Sequence, residues 1–201
     1  MSKIKICGLS RIADIEAVNH ALPDYIGFVF ASSKRRVDIE TAAMLKEKLS
    51  LRIKAVGVFV NEEIRVISEI VQNGIIDLIQ LHGDEDGAYI EQLKKVCDCP
   101  VIKSVSVGDT LPALPNKADY LLFDTLSEQR GGVGKTFDWR VLEEYHDIPY
   151  FLAGGLSAEN VSEARYLLSP FCVDISSGVE TRGVKDPEKI YRFVQTVRRI
   201  Q

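Results

Sequence analysis

Two side chains could form an acid–base pair. Cys7 closes the short apolar run Ile4–Cys7, and Asp124 directly follows the run Tyr120–Phe123. A thiol, with a reference pKa near about 8.5, becomes a usable base when neighbouring cations lower that value. A carboxyl at the mouth of an apolar enclosure moves the other way and can keep its proton as a general acid. Taken singly, neither residue says much. A free cysteine often packs as a small hydrophobe, and an aspartate after a strand can simply bind loop amides. Together they gain weight, because both lie at the ends of strands in one sheet.

Other strand ends add to the set. The run Tyr25–Phe30 leads into Ser32-Ser33-Lys34-Arg35-Arg36, where either guanidinium, by default a solvated charge, could clamp a carboxylate with two parallel hydrogen bonds. Asn61 follows the third run. His82-Gly83-Asp84 follows the fourth, and His82 fits a structural hydrogen bond as well as a substrate contact. Gly154-Gly155-Leu156-Ser157 closes the seventh run; Asp174, then Ser176-Ser177-Gly178, closes the eighth. Glycines let backbone N–H groups approach an anion, and a following helix N-terminus favours negative charge. Gly154, Gly155, Ser177 and Gly178 are therefore the expected phosphate site. The tempting segment Gly131-Gly-Val-Gly-Lys-Thr136 is not a phosphate-binding P-loop, because Gln129 stands where that motif needs its first glycine. A mobile loop over the site, hinged at the glycines, is the expectation there.

The elements that must position these groups alternate along the chain. Eight apolar, β-branched runs are expected as strands: Ile4–Cys7, Tyr25–Phe30, Ala55–Val60, Leu78–Leu81, Val101–Val105, Tyr120–Phe123, Tyr150–Ala153 and Cys172–Ile175. Helices are expected near Ile12–Ala21, Ile39–Lys48, Glu62–Asn73, Gly87–Val96, Asp138–Tyr145, Ala158–Leu168 and Pro187–Val197. Pro112 and Pro115 leave little room for one between Asp109 and Ala118. Near-continuous apolar strands joined by helices imply a parallel sheet covered by helices, and eight such units close into an α/β (β/α)8 barrel. An open dinucleotide-binding sheet would want G-x-G-x-x-G after the first strand, where Cys7-Gly8-Leu9-Ser10 stands. In a barrel the reactive groups belong at the C-terminal ends of the strands, which is where the polar residues gather. Trp139 is expected to pack at a helix start.

The 201 residues are expected to form one domain. With 46% hydrophobic and 27% charged residues the chain can fill a core and keep a charged surface, and a net charge of -4 argues against nucleic acid or an anionic membrane as partner. No apolar run approaches the roughly 20 residues of a membrane span, and the first residues lack a signal-peptide core, so a cytoplasmic location is expected. Cys7, Cys97, Cys99 and Cys172 show neither a disulfide framework nor zinc-site spacing. The expected partner is a small phosphorylated molecule, with the chain a monomer or homodimer and no metal bound.

At this level of detail the chain resembles the phosphoribosylanthranilate isomerases from end to end. The matching segments are Lys5-Ile-Cys-Gly8, Gly27-Phe-Val-Phe30 with Ser33-Lys-Arg35, Val56-Gly-Val-Phe-Val-Asn61 and Gln80-Leu-His-Gly-Asp84. They continue through Phe123-Asp-Thr125, 131–139, Gly154-Gly-Leu156, Asn160-Val161 and Val173-Asp-Ile-Ser-Ser-Gly-Val-Glu180. The resemblance implies a (β/α)8 barrel and an Amadori rearrangement of N-(5′-phosphoribosyl)anthranilate, with no metal or organic cofactor. It implies that Cys7 is the general base and Asp124 the general acid, and that Arg35 sits against the anthranilate end; His82 and Asp174 stay candidate substrate contacts on their strand-end positions alone. Arg36 follows directly, so two guanidiniums compete for that place. A related histidine-pathway isomerase would share the phosphate loops but is expected to carry an aspartate at the position of Cys7. A non-catalytic barrel binding a phosphorylated metabolite would need no acid–base pair.

Overall fold

The computed structural model describes residues 2–114, 117–126 and 136–199. Eight parallel strands close on themselves in chain order: β1 (Lys3–Cys7), β2 (Tyr25–Val29), β3 (Lys54–Phe59), β4 (Leu78–Leu81), β5 (Val101–Val107), β6 (Tyr120–Thr125), β7 (Tyr150–Leu152) and β8 (Cys172–Ile175). The ring shuts where β1 pairs with β8, with Lys5 opposite Asp174. Each expected strand is present, with ends shifted by at most two residues. Six α-helices pack outside: α1 (Ile12–Ala21), α2 (Ile39–Glu47), α3 (Ile64–Gln72), α4 (Gly87–Val96), α5 (Val161–Leu168) and α6 (Pro187–Arg199).

Two apolar cores result from the alternation of side chains along each strand. One lies inside the ring and takes Tyr25, Val56, Leu78, Ile102, Leu122, Phe151, Ala153 and Cys172 from seven of the strands and their ends. Tyr25 and Tyr120, at the starts of their strands, meet Phe151 tilted and edge-on, each with ring centroids 5.7 Å away, and plug the bottom of the barrel. The other core fills the space between strands and helices, where Ile6, Phe28, Phe59, Phe123 and Phe193 are fully buried.

The bottom rim carries a repeated clasp. Asp24, Asp77 and Asp119 each stand immediately before an even-numbered strand. Each accepts a hydrogen bond from the first or second backbone N–H of the preceding strand, at 3.0, 2.7 and 2.8 Å (from Ile4, Ala55 and Val101). Each also meets a lysine: Lys3, Lys46 and Lys94.

The helix expected over Asp138–Tyr145 is instead a single 3₁₀ turn, Trp139–Leu142. Its buried residues Trp139, Leu142 and Tyr145 recur every third position, which suits three residues per turn rather than 3.6. As expected, no helix is present among the described residues between β5 and β6. After β8 comes a feature the sequence reading does not contain. A 3₁₀ turn (Ser177–Val179) leads into a short hairpin of β9 (Glu180–Thr181) and β10 (Val184–Lys185). Arg182 and Gly183 turn it with φ of 54° and 79°, the two positive values a tight two-residue hairpin needs. The glycine-rich segment 131–135, expected as a mobile loop, lies outside the described residues.

Candidate active site

Cys7 ends β1 with Lys5 two residues before it, so the strand's alternation sends both side chains inward. Gly27 faces Cys7 across the β1–β2 ladder. A Cβ there would come within 2.6 Å of the thiol sulfur, so only glycine leaves room for it. Lys5 is 0% exposed and its Nζ lies 2.6 Å from Asp174 Oδ2. Burial works against the charge of Lys5, yet Asp174 and the Cys7 thiol, to which it also hydrogen-bonds, raise its pKa. The second oxygen of Asp174, Oδ1, is buried without a hydrogen-bond partner among the described residues.

The thiol and the carboxyl both feel this pair. Burial pushes the Cys7 thiol up, Lys5 and Lys185 pull it down, Asp174 adds to the rise, and the net shift is upward. The cations that could lower the thiol's pKa are thus present, but desolvation outweighs them. For Asp124 burial again dominates. The Thr125 N–H donates to its Oδ1 at 2.8 Å and opposes the rise, Asp174 adds to it, and the carboxyl titrates at about 6.

His82 points its Nε2 at Asp124 Oδ2 from 3.8 Å, beyond hydrogen-bond reach, while its Nδ1 pairs with the Gln80 amide at 3.1 Å. The loop carrying His82 is fixed from below. Glu85 accepts from the Asn61 and Gly83 N–H groups at 2.7 and 2.9 Å and pairs with Lys103 at 3.0 Å.

Of the two adjacent arginines, Arg36 is exposed and Arg35 is the one at the rim. Arg35 lies across Gly8, whose φ is +82° and where a Cβ would meet Arg35 Cδ at 2.4 Å. Its Nε and Nη2 donate to the two carboxylate oxygens of Glu180 at 2.6 and 3.0 Å. Lys185 Nζ also reaches Glu180, at 2.8 Å, and the carbonyl of Ser176 at 2.9 Å, while the Ser176 hydroxyl donates to the Cys7 carbonyl at 3.0 Å. One network thus runs from the hairpin to the end of β1.

The two loops expected to hold phosphate touch each other: a Cβ on Gly178 would lie 2.2 Å from the Leu156 carbonyl oxygen. Gly154 and Gly155 have φ of 83° and 64°. Gly154 packs on Thr125 and Asp124 as well, so this loop borders the acid. Asn160 staples it, donating to the Gly155 carbonyl at 3.0 Å and accepting from the Ser157 N–H at 2.8 Å. Ser177 opens the turn of the neighbouring loop.

All the site residues singled out in the sequence therefore line the C-terminal rim or the barrel interior just beneath it. Lys5, Glu180 and Lys185 were not singled out. Lys5 was within reach, since a residue two before Cys7 must share its side of the strand. Among the described residues no group of three or more His, Cys, Asp or Glu side chains could hold a metal ion, and no helix is long and apolar enough to cross a membrane.

A closed parallel barrel with a thiol, a carboxyl and glycine-lined loops at its C-terminal rim belongs to the (β/α)8 class of enzymes. The description of the N-(5'phosphoribosyl)anthranilate (PRA) isomerase family matches residues 4–196, and the chain belongs to that family of isomerases. It is 51% identical over 199 residues to the N-(5'-phosphoribosyl)anthranilate isomerase of Endomicrobium trichonymphae, covering 98% of this chain and 99% of that one. Among solved structures it is similar to phosphoribosyl anthranilate isomerase from Thermus thermophilus, with a TM-score of 0.88 at 28% identity, covering 99% of this chain and 100% of that one. It is also similar to a phosphoribosyl anthranilate isomerase solved in complex with reduced 1-(o-carboxyphenylamino)-1-deoxyribulose 5-phosphate, with a TM-score of 0.83 at 31% identity, covering 98% and 99%.

Proposed function

We propose that this chain, acting as one domain, performs the Amadori rearrangement of N-(5′-phosphoribosyl)anthranilate to 1-(2-carboxyphenylamino)-1-deoxyribulose 5-phosphate in tryptophan biosynthesis. The observation that carries the mechanism is that Cys7 and Asp124, on different strands, are both within the field of one buried charge pair, Lys5–Asp174. In this reading both serve one substrate at the barrel mouth.

In this reading protonated Asp124 gives its proton to the ribose ring oxygen as the C1′–O bond breaks, and the anilino nitrogen lone pair forms the C=N bond of a Schiff base. The Cys7 thiolate then takes the proton from C2′, and the electron pair released gives an enolamine that tautomerises to the ketone. A carboxyl titrating at about 6 is protonated in about one molecule in ten at pH 7, enough to act as an acid without being locked neutral. Lys5, held by Asp174, supplies a fixed positive charge beside the thiolate. In this reading the second Asp174 oxygen, buried without a hydrogen-bond partner among the described residues, and the His82 ring meet substrate hydroxyls. Gly154, Gly155, Ser177 and Gly178 present backbone N–H groups to the phosphate, and Arg35 meets the anthranilate carboxylate.

The test is a fluorescence assay for loss of phosphoribosylanthranilate with the purified chain and with Cys7→Ser. Serine is a far weaker acid, so little alkoxide exists to act as base, and the rate should fall by about 10²- to 10⁴-fold with ligand binding retained. Wild-type activity in Cys7→Ser would remove the thiolate from the mechanism.

A further inference from the structure

The guanidinium of Arg35 has two hydrogen-bonding edges. Glu180 occupies the side edge, made by Nε and Nη2, through both of its oxygens. The end edge, made by Nη1 and the second hydrogen of Nη2, is the one that remains for a substrate carboxylate, and the fork geometry of arginine lets both edges bind carboxylates in one plane. We propose that Glu180 is a positioning residue for substrate recognition: it fixes Arg35 by its side edge so that the end edge is presented to the carboxylate of the anthranilate ring. This rests on the reading of Arg35 given above and extends it to a residue that does not itself touch substrate.

Three observations support it. First, Glu180 is anchored independently of Arg35: Lys185 Nζ holds Oε1 at 2.8 Å and is tied in turn to the Ser176 carbonyl. The Glu180 side chain is only 6% exposed, and that of Lys185 only 2%. Second, the charges do not cancel. Two cations share one carboxylate, leaving a net positive charge at the rim for an incoming anion. Burial tends to raise the Glu180 pKa, but hydrogen bonds from Arg35 and Lys185 bring it down to about 2, so the carboxylate stays ionised at any working pH. Third, the path of Arg35 is shaped for this contact. Gly8 lacks the side chain that would block the Arg35 stem, so the arginine can lie flat across the end of β1 to reach the hairpin. A solvated rim arginine would need neither the glycine nor the buried partner. The short hairpin β9–β10 carries Glu180 and Lys185 on opposite strands of one ladder, which holds the two at a fixed spacing.

The experiment compares two ligands by calorimetry: reduced 1-(o-carboxyphenylamino)-1-deoxyribulose 5-phosphate and its counterpart lacking the ring carboxylate. Wild-type protein should prefer the first, and Arg35→Met should lose that preference. Glu180→Gln should bind the carboxylate ligand about tenfold more weakly or worse, the usual share of a charge-assisted hydrogen bond. It should bind the decarboxylated ligand as well as wild type, which also shows that the barrel and phosphate loops are intact. In the double variant Arg35→Met/Glu180→Gln the preference should fall no further than in Arg35→Met alone. Should Glu180→Gln fail to fold, Glu180→Asp keeps the charge but withdraws it by one methylene, and should show a smaller loss of the same kind. Full preference retained in Glu180→Gln or Glu180→Asp, with preference lost in Arg35→Met, overturns the role of Glu180 alone. Equal weakening for both ligands makes Glu180 merely structural and also overturns it. Preference retained in Arg35→Met overturns the underlying reading of Arg35, and this inference with it.

Discussion

Asp124→Asn should make the protein slower and more stable at the same time. Asp124 titrates at about 6 in the folded chain, against 3.8 for an unperturbed aspartate. Because the folded value is the higher one, holding this carboxyl ionised in its buried site costs stability. The cost is absent below about pH 4, where the group is protonated in both states, grows between pH 4 and 6, and is complete above pH 6. The difference corresponds to roughly 3 kcal/mol, which partial exposure of the side chain reduces to roughly 2. Asparagine keeps the acceptor for the Thr125 N–H but carries no charge to desolvate. Urea unfolding of the two proteins at pH 4 and pH 8 should therefore give near-equal stabilities at the lower pH and a gain of roughly 2 kcal/mol for the variant at the higher. The isomerase rate should fall by about 10²- to 10⁴-fold, as removal of a general acid implies. A variant that is less stable at pH 8, or whose advantage is the same at both pH values, would refute the claim that burial of this charge sets its titration.

The pH dependence of kcat/KM should rise near pH 6 and fall above pH 9. Because burial holds the Cys7 thiol above its ordinary range while Asp124 titrates at about 6, the productive form, carboxylic acid with thiolate, is a minority of the free enzyme. The rising limb then belongs to Asp124 and the falling limb to Cys7, the reverse of the order their roles suggest; a single limb, or an optimum below pH 5, would contradict this. Gly178→Ala should force apart two loops that touch at the Leu156 carbonyl, raising the Kd for the phosphorylated product analogue about tenfold or more by calorimetry and lowering the thermal midpoint by roughly 2–10 °C. Lys103→Met strands the buried Glu85 carboxylate beneath the β3 and β4 loops and should cost about 3–5 kcal/mol in urea unfolding, with Lys103→Met/Glu85→Gln recovering part of the loss.

The barrel was readable because its strands are short apolar runs of β-branched residues with turn residues between them, and the catalytic candidates followed from asking what ends each run. Cys7 and Asp124 could be named that way because a strand end in a barrel has one address. The partners that set their chemistry were harder. Lys5 looks like a surface lysine in a strand until the ring closes and puts Asp174 opposite it, and those two residues are 169 apart. The hairpin after β8 has arms of two residues, too short for any periodicity to mark. Glu180 meets Arg35 across 145 residues, so no local pattern joins them. The Asp138–Tyr145 stretch reads as an α-helix in sequence and folds as a 3₁₀ turn, because its apolar spacing of three fits a helical face as readily as the tighter turn.

The aspartate clasps on the bottom rim also bear on how the ring comes together. Each joins groups only 18 to 22 residues apart, so each can close as soon as its own strand–helix–strand unit exists. The seam between β1 and β8 is different, since Lys5 and Asp174 must find each other across 169 residues. Loop-closure entropy makes that joint about 2 kcal/mol more expensive than any clasp. The clasps lie on the bottom rim, while the seam that costs most to close is the one that brings Cys7 beside the buried Lys5–Asp174 pair. A half-wound chain can thus hold its strands in register without the Lys5–Asp174 pair, which exists only once the ring is closed.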